Sequence, residues 1–510
     1  VSLTVCLSLW RATRFPEYIS VLEETPRIMD IGCQLPHGAL RFYVMGDRGA
    51  DHEEVPTEEE CAQMKAITTE ALNAGALGFT TARTIKHMAA DGRVTPGYSA
   101  HDRELKAIAE GMREANAGVI ETNLTDPTAR EDLAIMRRMA ELAERPLTVL
   151  LLQIGGAPDL WRLLRQDIHD MNKDGMTVTG QVGCRPVGIL MGWELSMNPF
   201  NYHPTYVALK HLPVAERIAR LQNEPELRAQ LLSEHQWEPH AAWRPTAGTP
   251  VPHEGETVQQ AYFALMDFAL TRLSELKSSS TGLPDYEPDL TKESLAARAQ
   301  TVAAASGSNQ RPDPYAVALE ILLKGDGKGH LLFPHENYAG GDLSVIKELL
   351  EDPYTISGLG DAGAHVGTIC DGSYPTFLIT HWARDRARTG KGPGLPLEFL
   401  VQKQTRKTAE AFSLLDRGLL SVGFKGDINV IDLDRLQVTM PEVVYDLPGK
   451  VKAKRLLQKA VGYAYTIVSG VVVSKEGVPT GNLPGKVIRG AQPLPGTRAA
   501  TTTPAAAAKL

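Results

Sequence analysis

A chain of 510 residues with 43% hydrophobic and 22% charged residues has the make-up of a globular protein that builds a sizeable core without staples. Its formal charge of −8 is mild for that length and excludes the basic face that nucleic acid or an anionic membrane would require of a main partner. Five scattered cysteines (Cys6, Cys33, Cys61, Cys184 and Cys370) with no CxxC pair exclude a zinc ribbon or a disulfide framework, and fit a reducing cytoplasm.

No apolar run approaches the roughly 20 residues needed to cross a bilayer. Residues 1–10 are apolar but lack a basic leader and an obvious cleavage site, so secretion is not expected and a cytoplasmic location is. A chain that opens on Val instead of Met is expected to be processed, trimmed or incomplete.

From the N-terminus, the pattern predicts a strand over 28–34 that runs into the loop Pro36-His37-Gly38. Thr57 with Glu60 reads as a capping box, and Gly75 stops the helix that follows. Strands are predicted over 77–80, 119–123, 147–153 and 176–182, with helices over 102–115, 126–144 and 158–171 between them. A Pro-rich, irregular stretch over about 185–311 breaks the rhythm, with helical patches at 214–222 and 258–276. We read it as an excursion on one face, where loops shape a substrate pocket. The rhythm resumes with a helix over 314–323, a strand over 330–333, a helix over 342–351 and a strand over 354–358. Helices over 374–388 and 397–412 follow.

Strands alternating with helices imply parallel strands with right-handed crossovers, an α/β class chain of the (β/α)8 TIM-like barrel type. Seven strands are counted, and a closed barrel uses eight. Either one lies within the irregular stretch or the first lies upstream. After residue 412 come short strands at 427–431, 463–468 and 471–473 without helices, a small β unit beside the barrel. The expected domains are therefore a barrel over 1–415, a small β unit over 416–490, and a disordered, Ala/Thr/Pro-rich tail over 491–510.

In a parallel barrel, chemistry sits where strands end. The last predicted strand runs into Leu359-Gly360-Asp361-Ala362-Gly363-Ala364-His365. There Asp361 could bind a metal, or take a proton from water and pass it to a leaving amine, or simply cap the next helix. His365, four residues on, is expected to face the pocket. His37 and His335 follow strands, and their patterns suit pocket lining or structural hydrogen bonding equally. His235, His240 and His253 lie in the irregular stretch at spacings that suit no ligand helix. Asn123-Leu124-Thr125 matches a glycosylation acceptor, which means little in a cytoplasmic chain. No G-x-S-x-G elbow, P-loop or strand-linked G-x-G-x-x-G is present.

Residues 358–377 with Thr380-His381-Trp382-Ala383-Arg384, and the stretch Asp416–Asp432 (DRGLLSVGFKGDINVID), resemble the amidohydrolase superfamily. The branch they resemble is that of D-aminoacylases (N-acyl-D-amino-acid deacylases). Residues 35–41 (LPHGALR) and 75–81 (GALGFTT) resemble its early barrel, and the likeness spans about 15–490. The resemblance implies that Asp361 activates the hydrolytic water and contacts a metal, with zinc as the expected ion. It also implies a small β-sandwich built from both chain ends.

Three departures stand against the zinc site. No His-x-His occurs in the chain; the strand ending at Gln153 has no ligand histidine there; and Arg185 stands where the branch carries a histidine. Gln and Arg are poor or impossible zinc ligands. Arg185 could instead grip a substrate carboxylate, with Gln153 and His365 as further substrate contacts, or pair with a barrel carboxylate such as Glu121. Cys184 reads as a soft ligand or as buried filler.

The resulting expectation is hydrolysis of a linear amide, as in N-acyl-D-amino acid deacylation, on a small-molecule substrate, with a homo-oligomer compatible with it. Cyclic-amide hydrolysis is a neighbouring alternative. A second class of reading is an amidohydrolase fold that has lost its metal and serves as a binding or scaffold subunit.

Overall fold

The computed structural model describes residues 13–84, 94–124, 128–234, 269–277, 283–307, 313–447 and 453–497. Residues 1–10, His235, His240, His253, Thr125, most of the helical patch at 258–276 and residues 498–510 of the tail lie outside them.

Six parallel strands form the barrel wall: β1 (Leu35–Pro36), β2 (Gly78–Ala82), β3 (Val119–Asn123), β4 (Leu147–Leu150), β5 (Val178–Val182) and, after a gap in sequence order, β9 (Thr355–Ser357). Helices Glu58–Asn73, Asp102–Ala115, Ala129–Ala143 and Leu160–Lys173 connect and cover them. The local sequence explains the boundaries. Thr57 accepts from the Glu60 amide while Glu60 reaches back, so the first of these helices starts on a complete capping box. Asn116 and Glu144 end the next two in left-handed conformation. Helices Glu58–Asn73 and Asp102–Ala115 approach closely because position 111 is glycine; a Cβ there would stand 2.6 Å from the Lys65 carbonyl oxygen. Their apolar faces close over Phe79, Ile120 and Val149 of the wall, all fully buried.

Two expectations are corrected here. The predicted barrel strand at 330–333 is part of β8 (Leu331–Glu336), which pairs antiparallel with β6 (Val187–Met191) and β7 (Ser274–Glu275) in a separate three-stranded sheet. A short apolar run reads as a buried strand whichever way its partner runs, so its pattern could not give the direction. β6 itself went unpredicted within the irregular stretch. This sheet has its own core of Trp193, Phe200, Tyr315 and Phe333.

The second correction concerns residues 28–34. They form no barrel strand; Arg27 and Ile31 make isolated bridges with Pro484 and Val487, and Ile28 and Met29 are 42% and 63% exposed. Asp30 ties this segment down. One of its oxygens meets Arg417 at 3.0 Å and also Lys425, and the other accepts from the Lys486 amide at 2.9 Å. The early chain is thus joined to the stretch 416–432 and to the C-terminal part.

The small β unit comprises β10 (Ile428–Ile431), β11 (Gln437–Val438), β12 (Glu442–Leu447), β13 (Ala453–Leu457), β14 (Ala460–Val461), β15 (Tyr463–Val468), β16 (Val471–Lys475) and β17 (Val478–Pro479). Four of them form the antiparallel sheet β10-β15-β16-β17. Ser469 and Gly470, at φ 52° and 80°, make the tight turn between β15 and β16. The fold is therefore a TIM-like barrel with a small β unit.

Candidate active site

The carboxyl ends of β1, β2 and β3 and the loop after β9 enclose a cavity of about 640 Å³. Leu150 of β4 and Gln181 of β5 also line it. Asp361 and His365 both line it, alongside Leu359 and Gly360.

The loop carrying Asp361 is held in an uncommon backbone state. Leu359, Asp361 and His365 have φ of 67°, 42° and 49°, and Gly363 has 95°. A left-handed residue other than glycine costs on the order of 1–2 kcal/mol, so three within seven residues persist only because neighbours fix them. The Ala364 amide donates to the Asp361 carbonyl at 2.9 Å, and the amides of Thr368 and Ile369 donate to the His365 carbonyl at 2.8 and 2.9 Å. The carbonyls of Val366, Gly367 and Thr368 accept from Leu456, Ser196 and Leu190 at 2.7, 3.0 and 2.8 Å, which anchors the loop to β13 and β6. The Asp361 side chain stays exposed at the cavity rim.

On the opposite side, His37 begins helix His37–Met45 directly after β1. Its Nε2 hydrogen-bonds the Glu104 carboxylate at 2.8 Å, and its Nδ1 hydrogen-bonds the Thr81 hydroxyl, also at 2.8 Å. Arg41 pairs with the other Glu104 oxygen, and all three side chains are buried. Of the two readings left open for His37, both apply: it lines the cavity, and its ring is fully used in structural hydrogen bonds. Gly97 packs against this pair; a Cβ there would stand 3.1 Å from His37 Nδ1 and from Thr81 Oγ1.

The cavity floor is polar. Thr80, Glu121 and Gln181 line it, and Gln181 Nε2 donates to Glu121 Oε1 at 3.0 Å and to Thr148 Oγ1 at 3.2 Å. Burial pushes the Glu121 carboxyl above the usual glutamate value, and hydrogen bonding from neighbouring amides only partly opposes it.

Two sequence-predicted substrate residues stand elsewhere. Arg185 is fully buried and lines no part of the cavity. Its Nη2 donates to Asp371 Oδ1 at 2.8 Å and to the Cys370 carbonyl at 3.0 Å, and its guanidinium stacks 3.7 Å above the Tyr286 ring. The ion-pair reading holds, with Asp371 as partner in place of Glu121, because the chain after β5 turns inward beneath residues 370–377. Gln153 is also absent from the cavity lining. Its Oε1 accepts from the Ala339 amide at 3.0 Å, while its backbone exchanges hydrogen bonds with Asn337, so it staples two loops together. Cys184 is buried filler: burial pushes its thiol up to about 12. His335 lies on β8 beside Phe333 and does not line the cavity.

The donor set decides how far a metal fits. Among the described residues, no group of three or more His, Cys, Asp or Glu side chains could hold an ion. His37 spends both ring nitrogens on Thr81 and Glu104, and Asp361 stands at the rim without such a cluster. The described side chains therefore do not fit the zinc site implied by the resemblance.

Glu121 is the residue that sequence reasoning undervalued, having considered it only as a partner for Arg185. A usable signal existed. Polar residues recur at matching positions of successive strands (Thr80, Glu121 and Thr148), a pattern that an apolar barrel interior would not show.

Comparison with known proteins agrees with this architecture. The sequence profile of the amidohydrolase family matches residues 6–236 and 289–474. A D-aminoacylase of Alcaligenes xylosoxydans xylosoxydans is 35% identical over 72 residues, 14% of this chain and 14% of that protein. An N-acyl-D-aspartate deacylase of the same organism is 28% identical over 137 residues, 26% of this chain and 25% of that protein. The matched stretches thus span a quarter or less of these curated relatives. A solved D-aminoacylase, described as defining a novel subset of amidohydrolases, superposes with a TM-score of 0.52 over 94% of this chain and 75% of that one, at 17% identity. A likeness at that identity speaks to the fold. On the family match, which covers most of its length, the chain belongs to the amidohydrolase family.

Proposed function

We propose that the protein hydrolyses a linear carbon–nitrogen amide bond in a small N-acylated substrate, with Asp361 as the base that activates water. The observation that carries this reading is the placement of Asp361: an exposed carboxylate on a strained loop, at the rim of a cavity formed by the carboxyl ends of barrel strands. Water attacks the acyl carbon, Asp361 takes a proton from it as the C–O bond forms, and the same carboxyl passes that proton to the nitrogen as the C–N bond breaks. His365 faces the same cavity and serves as a substrate contact. The N-acyl-D-amino acid class comes from the names of the relatives, and it is a reading of this chain's substrate by likeness.

Arg185 is not assigned a substrate carboxylate, since its guanidinium is enclosed by Asp371 and aromatic rings. The test is release of free amine from a panel of N-acetyl amino acids, in D and L forms, with neutral, acidic and basic side chains. It is run with added zinc and after chelation. Hydrolysis in both arms places the chemistry on side chains; hydrolysis with zinc alone brings in ligands from outside the described residues. No hydrolysis of any member in either arm contradicts the reading and favours the non-catalytic binding subunit.

A further inference from the structure

The register of the barrel wall decides which side chains look into the cavity. Thr80, Glu121 and Thr148 stand side by side on β2, β3 and β4, and two residues further along Ala82 pairs with Asn123. Side chains two apart on a strand share a face, as do those at matched positions of neighbouring strands. Glu121 and Asn123 therefore project from one face of β3, and both line the cavity. Ile120, which alternates with them, belongs to the apolar core on the other face.

Buried carboxylates around this site are matched by cations. Glu104 meets Arg41, Asp132 meets Arg83 at 2.5 Å, and Asp371 meets Arg185 at 2.8 Å. Glu121 is held instead by the neutral amide of Gln181, whose Nε2 donates to its Oε1 at 3.0 Å. An amide stabilises a carboxylate far less than a guanidinium does. Among the described residues no lysine or arginine lines the cavity, and the other titratable groups there are His37, Asp361 and His365. His37 spends its ring nitrogens on Thr81 and Glu104, while Asp361 and His365 belong to the exposed rim loop. Burial pushes the Glu121 carboxyl up, as expected of a carboxylate short of positive partners.

A second observation concerns Asn123. Its side-chain oxygen is buried and accepts no hydrogen bond from the described residues. Folding leaves few buried acceptors in that state, because the hydrogen bond to water is lost with nothing in exchange. Two acceptors thus stand one step apart on the same face of β3, one short of a countercharge and the other of a donor.

We infer that Glu121 and Asn123 form a subsite for a cationic nitrogen, an ammonium or a guanidinium, carried by the substrate. The inference rests on the amide-hydrolysis reading and names its substrate class: an N-acylated amine or amino acid with a second, basic nitrogen. Such a group brings one positive charge and several N–H donors and has no acceptor of its own, which complements a carboxylate beside an amide oxygen. The cavity of about 640 Å³ has room for a small molecule with its cation at Glu121 and its acyl amide at Asp361. An acidic side chain would meet Glu121 with like charge, so the same residue selects against N-acylated acidic amino acids.

The test reads a ratio. Nα-acetyl-lysine and Nα-acetylnorleucine share an acyl group, and norleucine is lysine without its ammonium; each is used in D and L form. In the wild type kcat/KM should favour the lysine substrate by roughly 10–100-fold. In Glu121→Gln, which keeps the side-chain volume and the acceptor oxygen for Gln181, the preference should fall below about threefold, and Asn123→Ala should lower it by a smaller factor. A general loss of activity cancels in the ratio. A wild type with no preference for lysine, a preference that survives Glu121→Gln, or a preference for Nα-acetylglutamate over both overturns the inference. A second readout needs no turnover. Calorimetry should show saturable binding of n-pentylammonium to the wild type, tighter than that of 1-pentanol and weakened by about tenfold or more in Glu121→Gln. An amine that binds the wild type no better than the alcohol overturns the inference whether or not the variant folds, and so does equal amine binding to wild type and variant. A wild type that binds the amine through Glu121 yet hydrolyses no amide supports the subsite and contradicts the parent reading.

Discussion

The two sides of the barrel wall treat their charges in opposite ways. Beyond β5, Arg185 and Asp371 are sealed against each other at 2.8 Å beneath Tyr286 and Tyr374. Between β1–β3 and the loop after β9, Glu121 and Asp361 face an open cavity, one held by an amide and the other on a strained loop. A buried charge with a matched countercharge is architecture, because removing either partner leaves an isolated ion in a medium that solvates it poorly. A carboxyl that faces free volume with no such match is available to a ligand. Charge near a strand end therefore marks a site only when it looks into space.

The sharpest way to break this contrast is Arg185→Met. It should destabilise the protein by about 3–5 kcal/mol, because Asp371 is left buried without its partner. Adding Asp371→Asn should return part of that loss, a coupling that urea unfolding of both single variants and the double variant measures. In the folded fraction, KM should be unchanged. A raised KM with unaltered stability would instead make Arg185 a substrate group.

A smaller effect is expected at the base of β9, where Lys403 donates to the Asp352 carbonyl at 2.9 Å and to Thr355 Oγ1 at 2.7 Å. Burial pushes this amine down to about 8 from the usual 10.5, with Asp352 opposing and Lys407 assisting. The unfolded chain holds the proton more tightly, so between about pH 8 and 10.5 this group adds stability as pH rises. Below about 8 the buried charge imposes a constant cost on the order of a few kcal/mol. Denaturation of wild type minus Lys403→Met across that window should show the rise; a flat difference would contradict it.

The smallest expected effect is that of Gly97→Ala. Its methyl would press on His37 Nδ1 and Thr81 Oγ1 at 3.1 Å, and we expect a loss of about 1 kcal/mol in stability. Unfolding with no change would show that the segment gives way freely.

Parts of this contrast were legible in the sequence and parts were not. Helix 102–115 and strand 119–123 were predicted to the residue, since a turn residue and a change of period mark each end. The Asp361 loop was legible because its glycines and its place after a strand both mark a strand-end turn. The destinations of Arg185 and Gln153 were not. Nearness to a strand end says nothing about which way the chain then turns, and in both cases the turn led inward to partners far along the sequence, Asp371 and Ala339. The antiparallel pairing of β8 was hidden for the same reason, since its partner β6 lies more than 130 residues earlier.

The central claim is that Asp361 activates water at the open side of the wall. Asparagine tolerates the left-handed backbone that position 361 requires, so Asp361→Asn removes the base and spares the fold. On the N-acetyl amino acid that the wild type cleaves best, kcat/KM should fall by roughly 10²–10⁴-fold while the unfolding free energy stays within about 0.5 kcal/mol. Normal turnover in a folded Asp361→Asn variant would contradict the account.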